Sequence, residues 1–384
     1  MGRLLFRLLL LLLVGSPLYS EPEPPLKAGI VGTVNMGKSP NYFRTMSSLP
    51  VQKFLLEVAK GPLSEAMAAS ALAEAPGALK DLLALGLIRK EGDQYHLNFA
   101  LFTLADQKRT RETIRPHAES LAKALEARKG DLLAAMAAYD VPGVDRRDLA
   151  FIVLGCLSLD WDGLALATEQ GYRTATSSRP DGDYVPHAEE SGPLSVRGLY
   201  WGSRTTDEKG FWLTTFGDDA CKRLTLPDDF MEPMLRILIM LREAPMSLDD
   251  LGRSKGLDRA EVAELMPILQ AYGWVREDAG RFRVRIPVFS RRDEPMINNV
   301  RAIGRQVMSA WLKQHYPQIQ TELGDLSYSR SGVRFQEGFT MIWHYLFGMA
   351  NERLVAAGLF ADPYDADRAF KGSLTVVYNW DIHH

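Results

Sequence analysis

The sequence predicts an α+β fold that is mainly α-helical, with small β-hairpins and an internal duplication. Apolar residues recur at helical spacing over much of the 384-residue chain. Short segments of alternating polar and apolar residues enclose glycine-bearing turns, which is the pattern of β-hairpins. Both patterns occur together at residues 234–290 and again at residues 51–103. We therefore expect two copies of one module, each followed by further packing helices.

The later copy shows the order of elements within the module. A first helix, with four apolar residues at helical spacing, ends before Pro245, and Ser247 is placed to cap a second helix. A third helix begins after Asp258 and ends at Gly273. Two alternating segments then flank a turn at residues 277–280, which completes the order of a winged helix-turn-helix. The buried face of the third helix is predicted to comprise Val262, Leu265, Leu269 and Tyr272.

The earlier copy repeats these elements at a nearly constant offset. Residues 62–64 (Pro-Leu-Ser) correspond to residues 245–247 (Pro-Met-Ser), at an offset of 183. Residues 85–89 correspond to residues 272–276, at an offset of 187. The second copy therefore contains four additional residues between these two points. We expect them in the turn between the second and third helices, because loops accept insertions more readily than packed helices do.

The serine-led second helix, the segment GLDRAEVAELMPILQAYGWV and the charged hairpin resemble the ArsR/MarR-type winged-helix repressors of bacteria. The resemblance covers the two modules, which are less than a third of the chain. It implies a transcriptional regulator that places its third helix in the major groove of DNA, usually as a dimer. A homodimer and a small-molecule effector or protein partner are therefore expected as well.

Local charge favours the second module as the DNA contact. The chain has a net charge of −3, so any nucleic-acid surface must be a local patch. The first module has five basic and six acidic residues, and the second has nine and eight. Glu261, Glu264 and Pro267 in the third helix disfavour DNA and leave open a module that binds only protein. The candidate DNA contacts are Arg253, Lys255, Arg259, Arg281, Arg283 and Arg285, with Arg89 and Lys90 as weaker ones.

The N-terminus conflicts with DNA binding. Residues 1–20 contain two arginines, an uninterrupted apolar run and small residues, which is the layout of a secretory signal peptide. One resolution is an exported, periplasmic protein whose modules bind protein rather than DNA. The other is a cytoplasmic protein whose translation starts at Met36 or Met46. The DNA-binding hypothesis favours the downstream start.

A second motif predicts a different chemistry. Gly32, Gly37, Lys38 and Ser39 fit the spacing of a nucleotide-binding P-loop, in which backbone N–H groups and the lysine hold phosphates. The segment at 48–50 (Ser-Leu-Pro) would end any following helix within a few residues, and no Walker B strand follows. Nucleotide binding is therefore a distant third hypothesis, after DNA binding and protein binding.

The remaining acidic and aromatic clusters favour no enzyme, and the sequence predicts no cofactor or metal site. Asp160 and Asp162, like Asp218 and Asp219, are more simply helix-end and turn residues than a catalytic pair. Cys156 reads as a small core residue. Four tryptophans either line a ligand pocket or belong to the core: Trp161, Trp201, Trp212 and Trp343.

We expect the following organisation, given in residue ranges: a signal-peptide-like leader at 1–20, a linker at 21–45, the first winged helix at 46–107, a helical segment at 108–176, a loop and hairpin at 177–226, the second winged helix at 227–293, and a helical segment with a C-terminal strand at 294–384. Residues 177–195 are expected to form a surface loop because they are rich in Pro, Gly, Asp and Ser. The helices at 109–129 and 298–314, which follow the two modules, are expected to form either a dimer interface or plain packing.

Overall fold

The computed structural model describes residues 24–200, 202–206, 211–216, 228–271, 273–362 and 375–378. The fold is α+β and mainly helical, with small sheets, as predicted. The leader, Tyr272, Trp201, the turn at 217–219 and Cys221 lie outside the described residues, as does the side chain of Trp212.

The first half of the chain runs from the N-terminal strand to the end of a long hairpin. Its elements are β1 (Leu26–Val34), α1 (Tyr42–Met46), α2 (Leu49–Lys60), β2 (Leu63–Ser64), α3 (Glu65–Ala71), α4 (Ala78–Ala84), β3 (Ile88–Glu91), β4 (Gln94–Leu97), β5 (Ala100–Phe102), α5 (Leu104–Glu126), α6 (Lys129–Met136), α7 (Arg146–Ala150), a π-helical segment (Phe151–Asp162), α8 (Gly163–Glu169), β6 (Ser177–Arg179) and β7 (Gly182–Glu190).

The second half follows a similar plan. Its elements are β8 (Gly202–Thr206), β9 (Phe211–Phe216), α9 (Asp228–Glu243), α10 (Leu248–Gly252), α11 (Arg259–Ala271), β10 (Val275–Asp278), β11 (Arg281–Val284), β12 (Val288–Phe289), α12 (Glu294–Leu323), α13 (Ser327–Arg330), α14 (Phe335–Ala356) and β13 (Thr375–Tyr378).

Two repeated segments, residues 49–97 and 228–284, share one order of helices and hairpin. In the first, β2 pairs with β4, and β4 pairs with β3. In the second, β10 and β11 form the hairpin, and an isolated bridge joins Met246 to Phe282. That bridge corresponds to the pairing of Leu63 with Tyr95 in the first segment. The two segments therefore repeat the same helices, hairpin and short third strand.

The four additional residues of the second segment are not in the turn where we expected them. The third helix, α11, has 13 residues where α4 has 7, whereas the second helix, α10, has 5 where α3 has 7. The turn between these helices has six residues in both segments, so the prediction was wrong: the third helix gains six residues and the second loses two. The additional residues extend the third helix at its start, so the rest of that helix keeps its apolar stripe on the same side.

The predictions of a linker at 21–45 and of a surface loop at 177–195 were also wrong. Within the expected linker, strand β1 pairs antiparallel with β7 along nine residues, while β5 pairs with β7 in parallel. The glycines that suggested loops are instead required by close strand contact. A Cβ at Gly32 would lie 2.2 Å from the carbonyl oxygen of Asp183, and one at Gly182 would lie 2.1 Å from that of Thr33.

The long helices α5 and α12, which follow the two segments, pack against each other, and α14 packs along α5. Equivalent capping boxes start both post-hairpin helical stretches, Thr103 with Asp106 and Ser290 with Asp293. Within the chain these helices therefore act as packing helices.

Among the described residues, one helix, residues 146–169, is long and apolar enough by length and composition to cross a membrane, and 89% of its apolar window is buried in the fold.

A mixed sheet connects the second segment to the C-terminal tail. Strand β13 pairs antiparallel with β9 of the β8–β9 hairpin and in parallel with β12. The expected C-terminal strand is thus present at 375–378 and joins the hairpin. Tyr139, in the connection after α6, places β12: its hydroxyl accepts from the N–H of Val288 and donates to its carbonyl, both at 2.9 Å.

Candidate nucleic-acid interface

Helix α11 divides into a buried and an exposed face. Val262, Leu265 and Leu269 are buried as predicted, and Met266 joins them. The exposed positions of the helix are Arg259, Ala260, Ala263, Pro267, Gln270 and Ala271, and Glu261 and Glu264 are half-buried. The outer face is therefore formed mainly by small and uncharged side chains, with one arginine at its N-terminal end.

Three arginines converge on two aspartates at the start of α10. Arg253, in the turn after α10, places Nη2 2.8 Å from Oδ1 of Asp250. Arg281, on the hairpin, places Nη2 3.7 Å from Oδ2 of the same carboxylate. Arg259 places Nη2 2.6 Å from Oδ1 of Asp249. Residues from the turn, the third helix and the hairpin therefore lie on one surface.

These ion pairs are open to solvent. The three arginine side chains are between 56% and 74% exposed. Hydrogen bonds from Ser247 and Arg253 hold the pKa of Asp250 below its ordinary value, so this carboxylate is ionised at neutral pH. Exposed ion pairs contribute about 0–1 kcal/mol each. An incoming phosphate could therefore replace an aspartate as the partner of each arginine at small cost.

Two further predicted cations belong to the same module. Lys255 and Arg285 are exposed and form no ion pair with a residue that the structure describes. Sequence analysis missed Arg236 of α9, which lies against the turn: a Cβ at Gly256 would be 3.4 Å from its Nη1. In the sequence Arg236 is simply a basic residue within the first helix, because Gly256, its neighbour in the turn, is 20 positions away.

The hairpin arginines share one face, but they differ in accessibility. Phe282 and Val284, which alternate with them, are buried. Arg283 places Nε 2.9 Å from Asp278, and its Cδ packs beside Gly143 of a neighbouring loop. Arg283 is therefore less available to a ligand than Arg281 or Arg285.

The structure does not support Arg89 as a DNA contact. Its Nη1 donates to the carbonyl of Leu97 at 2.7 Å, and its Nη2 donates to the carbonyl of Ser331 at 2.6 Å. The guanidinium thus ties the first segment to the loop before α14, and turning it outward would break both bonds. Lys90 pairs with Glu65 at 2.9 Å on an exposed surface. Of the two DNA contacts expected in the first segment, Lys90 therefore remains a candidate and Arg89 does not.

The P-loop interpretation of residues 32–39 is wrong. Gly32 lies inside β1, where it is paired with Tyr184. In the turn that follows, the N–H groups of Gly37 and Lys38 donate to Asn35, at 2.9 and 3.1 Å. Those N–H groups are the ones that a P-loop would present to phosphates, and the next helix, α1, has only five residues. Neither this loop nor Ser39 therefore forms a phosphate cradle.

The acidic residues at 160 and 162 make their contacts within the fold. Asp162 is buried and accepts from Arg301, at 2.8 Å from Nη2 and 3.0 Å from Nε. Asp160 lies 3.7 Å from Nε2 of His344. Among the described residues, no group of three His, Cys, Asp or Glu side chains could hold a metal ion.

Of the four tryptophans named from the sequence, two have described side chains, and one of these two belongs to the core. Trp343 is fully buried and donates from Nε1 to the carbonyl of Leu159 at 2.7 Å, whereas Trp161 is 40% exposed. Cys156 is buried as expected.

Comparison with known proteins adds no relative: no protein-family model, curated protein or solved structure matches this chain. The function is therefore inferred from the geometry of the second segment.

Proposed function

We propose that the protein is a DNA-binding regulator and that its second segment is a winged helix that contacts the duplex. The observation that carries this proposal is the convergence of Arg253, Arg259 and Arg281 on one exposed surface. The order of helices and hairpin, with the Met246–Phe282 bridge as its third strand, supports the winged-helix assignment. This function requires a cytoplasmic form, and a form that starts at Met36 or Met46 would lack β1, which pairs with β7 along nine residues.

The arginines would have different roles on DNA. Arg281 and Arg285 on the hairpin, with Arg253 in the turn, would contact phosphates, since a wing lies along the backbone while the third helix enters the groove. Arg259 begins α11, and the first residues of such a helix reach base edges or nearby phosphates. The small side chains on the outer face of α11 would let the helix approach the bases closely.

The first segment would then serve as a scaffold. Arg89 is held by the carbonyls of Leu97 and Ser331, and Lys90 is its one remaining candidate contact. We therefore expect the second segment to provide most of the affinity. The dimer and the small-molecule or protein effector implied by the family resemblance belong to the same proposal.

The proposal is tested by replacing Arg253, Arg259 and Arg281 together with alanine. Binding of a fluorescent DNA duplex is measured by anisotropy at several salt concentrations. Each lost phosphate contact should reduce the slope of log K against log salt by about one unit. The matched control replaces three exposed arginines outside the segment with alanine, namely Arg147, Arg334 and Arg353, and should bind as the wild type does.

A single replacement separates base reading from phosphate contact. If Arg259 reads a base, Arg259→Ala should relax sequence preference by about 1–3 kcal/mol at one position of the site. If it contacts phosphate, the same change should weaken binding to all sequences alike.

A second function is favoured by the same ion pairs. Asp249 and Asp250 partly neutralise the surface, and Ala263 and Pro267 expose apolar carbon on α11. Such a face suits a protein partner, and this alternative is compatible with export through the leader. If the triple variant binds DNA as tightly as the wild type at every salt concentration, DNA binding by this surface is refuted and the protein-binding function takes its place.

A further inference from the structure

A pair of histidines joins the two long helices that follow the repeated segments. His117 of α5 and His315 of α12 face each other, with their Nδ1 atoms 3.2 Å apart. Both line an open cleft of about 590 Å³ between the helices. His315 also stacks on Trp311, with ring centroids 4.5 Å apart and planes inclined by 11°.

The pair is the centre of a longer hydrogen-bonded chain. At one end Trp311 Nε1 lies 3.2 Å from Oγ of Ser120, and that oxygen lies 3.2 Å from Nε2 of His315. At the other end Nε2 of His117 lies 3.1 Å from Oε2 of Glu322. The chain therefore runs from an indole through a serine and two imidazoles to a carboxylate.

The end groups determine which atoms carry protons. An indole N–H can only donate, and an ionised carboxylate can only accept. With both histidines neutral, Ser120 donates to Nε2 of His315, Nδ1 of His315 donates to Nδ1 of His117, and Nε2 of His117 donates to Glu322. Every contact then has one proton, so the neutral pair satisfies the whole chain.

The chain accepts one proton by reversing its central bond. A proton on Nδ1 of His117 leaves that ring positively charged beside Glu322, and His315 must then accept at Nδ1 and carry its proton on Nε2. A second proton cannot be accommodated. It would place two N–H groups head to head and two positive charges 3.2 Å apart.

Among the charged groups around the histidine pair, Glu322 is the carboxylate that contacts it. The clefts beside the pair are lined by Arg109, Glu112, Arg128 and Glu322. Of these, Arg109 pairs with Asp325 and Arg128 with Asp131, both at 2.6 Å. Gln318 also donates to Glu322, at 2.8 Å.

Other elements packed on α5 and α12 bring charges that are paired elsewhere. Arg353 of α14 pairs with Glu119. Arg301 and Arg305 of α12 pair with Asp162 and Glu169. Arg305 precedes His315 by ten residues, about 15 Å along a helix.

We propose that the His117–His315 contact is an acid-sensitive latch between the two helices that follow the repeated segments. The latch is closed while the pair carries no more than one positive charge, and it opens when both rings are charged. Opening separates α5 from α12 along the existing cleft. It does not depend on DNA binding.

The titration properties agree with this geometry. Burial, with added repulsion from His117, lowers the pKa of His315 below its ordinary value of 6.5. The folded protein therefore binds fewer protons than the unfolded chain just below pH 6.5. The stability that the latch provides is complete above pH 6.5 and is lost as the pH falls toward the lower folded pKa. Burial alone would raise the pKa of Glu322, but hydrogen bonds from Gln318 and His117 hold it below its ordinary value, so it stays ionised throughout this range.

The test is NMR titration of the imidazole nitrogens in the histidine-labelled full chain. We expect His315 to titrate below pH 6.5 and to transfer its remaining proton from Nδ1 to Nε2 before it becomes charged. In His117→Gln the neighbouring charge is removed, so the titration midpoint of His315 should rise. Ser120→Ala removes the donor to the neutral ring and should shift the midpoint in the same direction, which keeps the test decisive if the first variant does not fold.

A matched control and an unfolding series complete the experiment. His344→Gln changes another half-buried histidine, one that is not part of the hydrogen-bonded chain, and should leave the titration of His315 unchanged. Urea unfolding midpoints should fall with pH below 6.5 in the wild type and fall less in His117→Gln. The latch is refuted if His315 titrates at 6.5 in the wild type, or if both His117→Gln and Ser120→Ala leave its midpoint unchanged.

Discussion

Removing the Tyr139 hydroxyl tests how the second segment is held against the rest of the fold. The hydroxyl bonds to the backbone of Val288 as a neighbouring strand would. It accepts from the N–H of Val288 and donates to its carbonyl, both at 2.9 Å. The ring also packs edge-on against Phe289, with centroids 5.6 Å apart. Tyr139→Phe keeps this ring packing and deletes only the two hydrogen bonds.

The expected magnitude follows from what remains bonded. The carbonyl of Val288 keeps a second donor, Nε of Arg242 at 2.7 Å, so it is not left unsatisfied. The N–H of Val288 loses the acceptor described here, which costs about 1–3 kcal/mol for a buried group. Loss of the second bond adds about 1 kcal/mol. We expect Tyr139→Phe to lower the free energy of unfolding by about 2–4 kcal/mol.

The assay is equilibrium unfolding in urea, in which a lower midpoint at an unchanged slope reports lost stability. Tyr172→Phe is the matched control, because the Tyr172 ring is half-buried and stacked on Tyr316, and its hydroxyl makes no hydrogen bond to a described residue. It should change stability by less than about 0.5 kcal/mol, as surface changes usually do. A change that small in Tyr139→Phe would refute the role given to its hydroxyl.

Three further predictions concern the core, a buried ion pair and the N-terminus. Leu269→Ala should cost about 2–5 kcal/mol in urea unfolding because its side chain is fully buried; a cost below about 0.5 kcal/mol, well under that range, would show that α11 buries another face. Arg242→Met should cost about 3–5 kcal/mol by leaving Asp293, now 2.6 Å from Nη2, buried without its partner; thermal unfolding measures it, and an unchanged melting temperature would contradict it. Mass spectrometry of the native N-terminal peptide should find no residues 1–20: a start near Glu21 would support export and oppose DNA binding, a start at Met36 or Met46 would support the cytoplasmic form, and intact residues 1–20 would contradict both.

The sequence by itself determined the elements whose causes are local. Helical periodicity, the caps at Ser64 and Ser247, and Gly273 at the end of a helix located both repeated segments and their hairpins. The repeat was readable because corresponding residues keep the same spacing within each element. Placement of the four additional residues failed, because lengthening a helix at its start leaves the apolar stripe of the rest intact and gives no signal in the pattern.

Only the tertiary structure decided which residues meet across long separations. The segments at 26–34 and 182–190 were expected to be part of a linker and of a surface loop, and they are strands because each provides the other's hydrogen-bond partners. Arg89 could not be distinguished from a free surface cation, since the carbonyl that holds it belongs to Ser331. His117 and His315 are 198 positions apart, and nothing local to either predicts their contact. Local propensity acts over a few residues, whereas burial, ion pairing and proton sharing depend on which surfaces the folded chain brings together.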